Sequence, residues 1–319
     1  MGNFKYLRNL LNKDLAEEFA LNILDLEETE AEKAAYLIKK AERLLKSTMN
    51  QSSLNTESER VSQFKTQTQR EKLHKQIIEE LFTLPRLDDD DKIKLGRDGG
   101  GALPKSGKVN EDKKAFIITG LPASGKSEFT SLLADEVGAI IIDSDYAKRK
   151  IPEYYEIDAE YSANFVHKES SLLALGIGNN DSLFAKSLFL GYNMIIPMIG
   201  YDSEELFNFA KNLKQENDYE VHVILISLDR QKATQRAYYR FKKTKRYVPL
   251  SLIFDSYANE PILSYYRLQA NKKYSAVFRS FSKITNDVPI NSVPQYINST
   301  KYAPIKNQES VNKLYKHKI

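Results

Sequence analysis

The stretch Gly120-Leu121-Pro122-Ala123-Ser124-Gly125-Lys126-Ser127 fits the pattern G-x-x-x-x-G-K-[ST] at every constrained position. That pattern is chemistry for holding phosphate. Its glycines let backbone N–H groups wrap an anion, and the helix N-terminus beyond them adds a partial positive charge. Lys126 would reach the β- and γ-phosphates, and Ser127 would ligate Mg²⁺. The loop therefore predicts a nucleoside triphosphate, with ATP and Mg²⁺ as cofactors.

Two later clusters carry chemistry that such a loop can use. Asp143-Ser144-Asp145 follows the apolar run Ala139–Ile142, with Lys148, Arg149 and Pro152 beyond it. In an open parallel sheet, residues just past the strand carboxyl ends face the binding crevice. Two aspartates there could orient an acceptor hydroxyl, hold Mg²⁺ or cap the next helix. An ordinary aspartate is a weak base, but phosphoryl transfer rests mainly on positioning and charge neutralisation. The second cluster is Gln235-Arg236-Ala237-Tyr238-Tyr239-Arg240, followed by Lys242, Lys243, Lys245, Arg246, Val248 and Pro249. Arg236 and Arg240 are four residues apart and share one helix face. A mobile basic lid closing over a triphosphate has this composition. A solvated basic helix or a nucleic-acid patch with interleaved tyrosines has it too.

These residues need a scaffold, and the chain shows one. Ala115–Thr119 is an apolar run entering the loop, and Ser127–Leu133 leaves it with helical spacing. Further strands are expected at 139–143, 193–199, 220–228 and 274–284, with helices between them. Strands alternating with helices argue for a parallel sheet covered on both faces. The fold class expected is α/β, a P-loop kinase-like parallel sheet covered by helices and preceded by an N-terminal all-α segment. Residues 1–86 carry that segment: Leu7, Leu10, Leu11, Leu15, Phe19, Ile23 and Leu26 recur at three- and four-residue steps, as do later apolar residues up to Phe82. Residues 87–111 read as a linker, rich in glycine and holding the acidic run Asp88–Asp91, which is read as solvated. Residues 112–290 are the kinase domain, and 291–319 an irregular basic tail with a short basic helix expected near Lys313.

Composition excludes several classes. The 319 residues contain no cysteine, which rules out disulfides, thiolate chemistry and cysteine-bound zinc. A net charge of +4 makes nucleic acid an unlikely partner. No apolar run approaches the ~20 residues of a membrane span, and charges interrupt the N-terminus too early for a signal-peptide core. A soluble cytoplasmic protein is the simplest reading.

Five motifs in order give the chain a resemblance. Gly120–Ser127, Asp143–Lys148, Val166–Ser171, Gly191–Ile196 and Arg236–Pro249 together resemble the zeta-toxin kinases, over roughly residues 87–285. The resemblance implies transfer of the ATP γ-phosphate to a hydroxyl of a nucleotide sugar, typically UDP-N-acetylglucosamine. It implies Asp145 as general base, Lys126 as phosphate clamp, Ser127 as Mg²⁺ ligand, and Arg236 and Arg246 as grips on the triphosphate and transition state. Glu169 corresponds to the acceptor-binding glutamate, so the substrate-binding set is Asp143, Glu169 and Lys148. The cofactor-binding set is Gly120, Ser124, Gly125, Lys126, Ser127, Glu128 and Arg240. In this family a helical antitoxin blocks the ATP site, which makes residues 1–86 a candidate inhibitor in cis or docking module. One departure stands out: the family commonly ends the strand after Gly-Tyr-Asn on an acidic residue, where this chain has Ile196-Pro197-Met198. Alternatives left open are a kinase for another small molecule or nucleotide cofactor, and a nucleotide switch or nucleic-acid-binding module without transfer.

Overall fold

A computed structural model describes residues 6, 10–88, 90–156, 159–176, 181–289 and 291–318. Two helices come first, α1 (Lys13–Asn22) and α2 (Glu28–Thr48), and the Asn12 side chain caps α1 by accepting from the Asp14 and Leu15 N–H groups. The third N-terminal helix, α3 (Gln67–Thr83), starts later than its apolar pattern suggests, because Thr66 and Gln69 form a capping box there. Short 3₁₀ turns occupy 57–59 and 62–64 instead.

The sheet then builds up in chain order. Strand β1 (Lys114–Thr119) leads through the phosphate loop into α4 (Lys126–Val137), and β2 (Ile140–Ile141) leads into α5 (Ser144–Lys150). The short helices α6 (Glu153–Glu156), α7 (Ala159–Phe165), α8 (His167–Ala174) and α9 (Leu183–Phe189) precede β3 (Met194–Pro197). Next come α10 (Ser203–Asn217), β4 (Glu220–Ser227) and α11 (Arg230–Thr244). A π-helical stretch at Leu252–Tyr257, α12 (Glu260–Ala270), α13 (Lys272–Ser275) and β5 (Ser280–Thr285) complete the parallel part. The spatial order is β2-β3-β1-β4-β5-β6, the first five strands parallel. Strands β1 and β4 are almost wholly buried apolar residues, as a sheet covered on both faces requires.

Two regions differ from their sequence reading. Residues 87–111 are packed structure, not a free linker. Ile93, Ala102 and Leu103 are buried, and Ala102 O accepts from Ile141 N at 3.1 Å, so this stretch shields the β2 edge. The glycines permit that approach: a side chain at Gly101 would run into the Leu84 and Glu80 carbonyls. Residues 291–318 hold β6 (Gln295–Ser299), antiparallel to β5, and α14 (Gln308–Leu314), with Val311, Leu314 and Tyr315 buried. Strand β6 is too short for periodicity to reveal it, whereas α14 is the short basic helix expected near Lys313.

The N-terminal helices do not form a separate bundle. Leu10, Phe19, Ala31, Ala34 and Ile38 are fully buried in one cluster with Tyr238, Phe241 and Leu250 of α11 and the turn after it. That cluster also holds Leu121 of the phosphate loop. Helix α3 instead places Leu73, Ile77 and Leu81 in the main core beneath the sheet.

Candidate active site

Each constrained position of the phosphate loop has a local reason. Gly120 has φ +149° and lies so close to the Ile226 carbonyl that a Cβ would clash. Gly125 has φ +92°, and a Cβ there would collide with the Asn286 amide. Asn286 donates its side-chain N–H to the Ser124 carbonyl at 2.8 Å, bolting the loop to the end of β5. The Lys126 ammonium donates to the carbonyls of Gly120 (2.6 Å) and Leu121 (2.7 Å), arching across the loop. Burial pulls its pKa down to about 7, with Asp143 opposing and Arg240 adding to the drop. A bound triphosphate would restore the charge. The buried hydroxyls of Thr119, Ser124 and Thr130 have no hydrogen-bond partner among the described residues. Such orphans are costly unless a ligand or water meets them, and three around one loop fit an anion site.

The paired aspartates sit beside this loop and have opposite electrostatics. Asp143 caps α5, its carboxylate accepting from Asp145 N at 2.9 Å. Burial first, and then the Asp145 charge, push the Asp143 pKa up to about 6. Asp145 is also raised by burial, but Lys148, at 2.6 Å from Oδ1, and Arg246, at 3.7 Å from Oδ2, together hold it well below the usual range. Both aspartates line a small cavity of about 30 Å³ with Ser127, Thr130, Tyr146 and Arg149. Among the described residues no three acidic or histidine side chains gather as a metal cage. Ser127 with Asp143 nevertheless fits Mg²⁺, which takes one or two protein ligands and completes its shell with phosphates and water. A divalent cation there would also relieve the repulsion between the two carboxylates.

The lid cations reach the same place from across the cleft. Arg246 lies just past α11 and packs its guanidinium over the Tyr154 ring at 5.4 Å. Arg240 is within electrostatic reach of Lys126, Asp145 and Arg246. Arg236 points to the other flank, where it donates to the Asn286 carbonyl at 3.1 Å. Lys126, Ser127, Asp143, Asp145, Lys148, Arg240 and Arg246 therefore converge, and Arg236 joins them through Asn286.

Two expected residues do not. Glu169 is fully buried: Oε1 accepts from Arg70 Nε (2.5 Å) and meets His74 Nε2 (2.5 Å), while Oε2 accepts from Arg70 Nη2 (2.5 Å). Burial opposes ionisation, yet His74 and Arg70 bring its pKa down to about 2. Arg70 simultaneously forks onto Glu153 at 2.8 and 3.0 Å. A carboxylate occupied in this way has no free face for a substrate, which corrects the substrate-binding expectation. Glu128 is exposed and lies against the C-terminal segment, 3.6 Å from His317, not over the loop. The residues that sequence reading missed are Asn286, Tyr154 and Arg70. Asn286 was findable, since it stands just past a parallel strand, where the crevice rule applies. Arg70 was not, because nothing in a helical pattern marks which arginine will be buried.

The remaining departures have simple structural accounts. Pro197 ends β3 beyond the last β2 residue, so its missing N–H costs no ladder bond. Asp202, the next acidic residue beyond this strand, caps α10 through the Glu204 and Glu205 N–H groups. No helix among the described residues is long and apolar enough to cross a membrane.

Among solved structures, a chain of the PezAT chromosomal toxin–antitoxin system of Streptococcus pneumoniae is similar at 18% identity, covering 65% of this chain and 78% of that one, TM-score 0.45. The AvrRxo1-ORF1:-ORF2 complex is similar at 14% identity over 82% of this chain and 75% of that one, TM-score 0.47. Curated proteins give no match. The zeta-toxin family model matches residues 104–262, a span that holds the loop, both aspartates and the lid arginines. The geometry gathers a candidate phosphoryl-transfer site, and the region that carries it, residues 104–262, is the region that matches the zeta-toxin family.

Proposed function

We propose that this ATP-dependent kinase transfers the γ-phosphate to a hydroxyl of a small acceptor, with a nucleotide sugar such as UDP-N-acetylglucosamine as first candidate. The observation that carries the reading is Asp145, wired to Lys148 and Arg246 next to Ser127 and the phosphate loop. A nucleotide switch has no need of a carboxylate held ionised by two cations. In the mechanism, Lys126 neutralises the β- and γ-phosphates, and Ser127 with Asp143 would hold Mg²⁺, which supplies charge neutralisation. Asp145 orients the acceptor hydroxyl and takes its proton late, when the oxygen has become acidic. Its lowered pKa suits that role, since the loose transition state demands position before basicity. Arg240 and Arg246 close from the lid on the developing charge. Arg236 grips the triphosphate from the β5 flank.

A second acceptor class is favoured by Glu169 and Pro197. With the glutamate locked by Arg70 and no acidic residue ending β3, the sugar pocket implied by resemblance lacks two polar groups. Another small molecule or a nucleotide cofactor then takes its place. For residues 1–86 we infer a supporting role, because their apolar faces finish the lid cluster and the main core. Radiolabelled ATP, Mg²⁺ and a panel of nucleotide sugars and nucleotide cofactors decide the acceptor, with Lys126→Ala and Asp145→Asn as controls. Label on UDP-N-acetylglucosamine that both variants abolish supports the first candidate. Label only on a cofactor overturns it in favour of the second.

A further inference from the structure

The opposite pole of the sheet carries a second pocket, remote from the phosphate loop and independent of it. At the strand N-termini, Phe116 of β1, His222 of β4 and Ser280 of β5 are register neighbours, so their side chains share one face. His222 stacks on Phe116 at 5.0 Å, and its Nδ1 meets the Ser280 hydroxyl at 2.7 Å. Its other ring nitrogen, Nε2, is buried and without a hydrogen-bond partner among the described residues. His222 is only 5% exposed and lines a cavity of about 480 Å³.

The rim of this cavity is cationic. Lys114, Arg279, Lys301 and Lys306 line it, against the carboxylates of Asp112 and Glu220. Asp112 lies 3.6 Å from Lys114, and Glu220 lies 3.9 Å from Arg279 and 4.0 Å from His222. That leaves Lys301 and Lys306 in excess, and both are exposed. The Arg279 guanidinium carbon lies over the Tyr302 ring, 3.8 Å from its centroid, which holds its N–H fork in place. Burial, then Lys114 and Arg279, bring the His222 pKa down to about 4, so the imidazole is neutral at pH 7. In the tautomer in which the Ser280 hydroxyl donates to Nδ1, Nε2 carries the proton and is a donor, with the Glu220 carboxylate 4.0 Å away. A stacked guanidinium, two ammonium groups without a carboxylate partner among the described residues (Lys301 also lying over the Tyr302 ring at 5.4 Å) and a buried donor recognise an oxyanion, and a phosphate best of all.

We propose that this pocket is a second binding site, for a phosphate-bearing anion, with His222, Arg279, Lys301 and Lys306 as its ligands. The proposal does not rest on the kinase reading and survives or fails apart from it.

The chain has four histidines, which makes the test local. Full-length protein with ¹³C-labelled histidine rings is titrated with inorganic phosphate, and separately with adenosine monophosphate, at constant ionic strength. The expected result is a saturable shift of the His222 resonance. In the Lys301→Ala/Lys306→Ala variant its half-saturation point rises at least tenfold. Both positions are on the surface, so the variant keeps its fold, and an unchanged amide spectrum verifies that. Tighter binding of the nucleotide by tenfold or more identifies the ligand as a nucleotide, and equal binding identifies it as free phosphate. A His222 resonance that stays fixed, or that drifts linearly and identically in the variant, overturns the site. Anion binding at the phosphate loop instead moves His167, which lies within electrostatic reach of Asp145 and Lys148.

Discussion

The two flanks of the catalytic cleft are held by N-terminal helices using opposite physics. On the lid flank, α1 and α2 offer Leu10, Phe19, Ala34 and Ile38 to α11, and the polar links are few, among them Tyr247 to Glu42 at 2.6 Å and the Tyr6 N–H to the Asp255 carboxylate at 2.7 Å. On the other flank, α3 drives Arg70 into the interior between Glu153 and Glu169 and lends Glu80 to Lys150 at 2.7 Å. Apolar packing is graded, and each lost methylene costs a little. A buried ionic network is all or none, since removing one member strands the rest in low dielectric. The chain thus has a tolerant flank under its lid and an intolerant one under α5–α8.

The largest expected effect comes from stranding the network. Arg70→Ala leaves Glu153 buried without its cation and Glu169 with only His74, and should cost about 3–5 kcal/mol, read from the denaturation midpoint. Adding Glu153→Gln and Glu169→Gln to Arg70→Met should recover most of it. A triple variant as unstable as Arg70→Ala would break the comparison, because ordinary packing would then explain both flanks. On the lid side, Leu10→Ala should cost roughly 2–5 kcal/mol and Ile38→Val about 0.5–1.5, their sum being nearly additive if the two sites do not couple.

Acid sharpens the contrast. The Glu169 pKa is depressed to about 2, so its stabilisation is complete above the unfolded value near ~4.3 and fades as pH falls toward 2. The Glu42 pKa is raised by burial, so its contribution has the opposite sign, present below the unfolded value and lost as pH rises. Hydrogen exchange at pH 3 should therefore show α3 and α8 opening before α1 and α2. Equal protection at both flanks would contradict the assignment. The smallest effect is local: Asn286→Ala removes one bond to Ser124 and should cost about 1 kcal/mol. Its readout is a several-fold higher KM for ATP with the fold intact.

Most of the candidate site's geometry was legible because its residues lie at positions that topology dictates. The phosphate loop, Asp143 and Asp145 each follow a buried strand; β2, β3 and β4 lie within the expected runs, β1 and β5 each overrun theirs by one residue, and Tyr274 and Ser275, expected as strand, belong to α13. Glu169 was misread for a physical reason. A motif fixes residue type and order, but the partner that occupies the carboxylate comes from ninety-nine residues upstream. The stretch 87–111 misled because glycine permits both flexibility and close packing, and composition cannot tell which. The expectations on Leu7 and on Asp89 fall outside the described residues.

The reach of Arg70 bears on heredity as well as on stability. The family match begins at residue 104, yet the cation that balances Glu153 and Glu169 stands before it on α3. A gene fragment cut at residue 104 would encode the phosphate loop, both aspartates and the lid arginines together with two buried charges that have lost their arginine. Recombination between relatives can exchange this enzyme as a working piece only when the crossover falls upstream of Thr66, where the capping box of α3 begins.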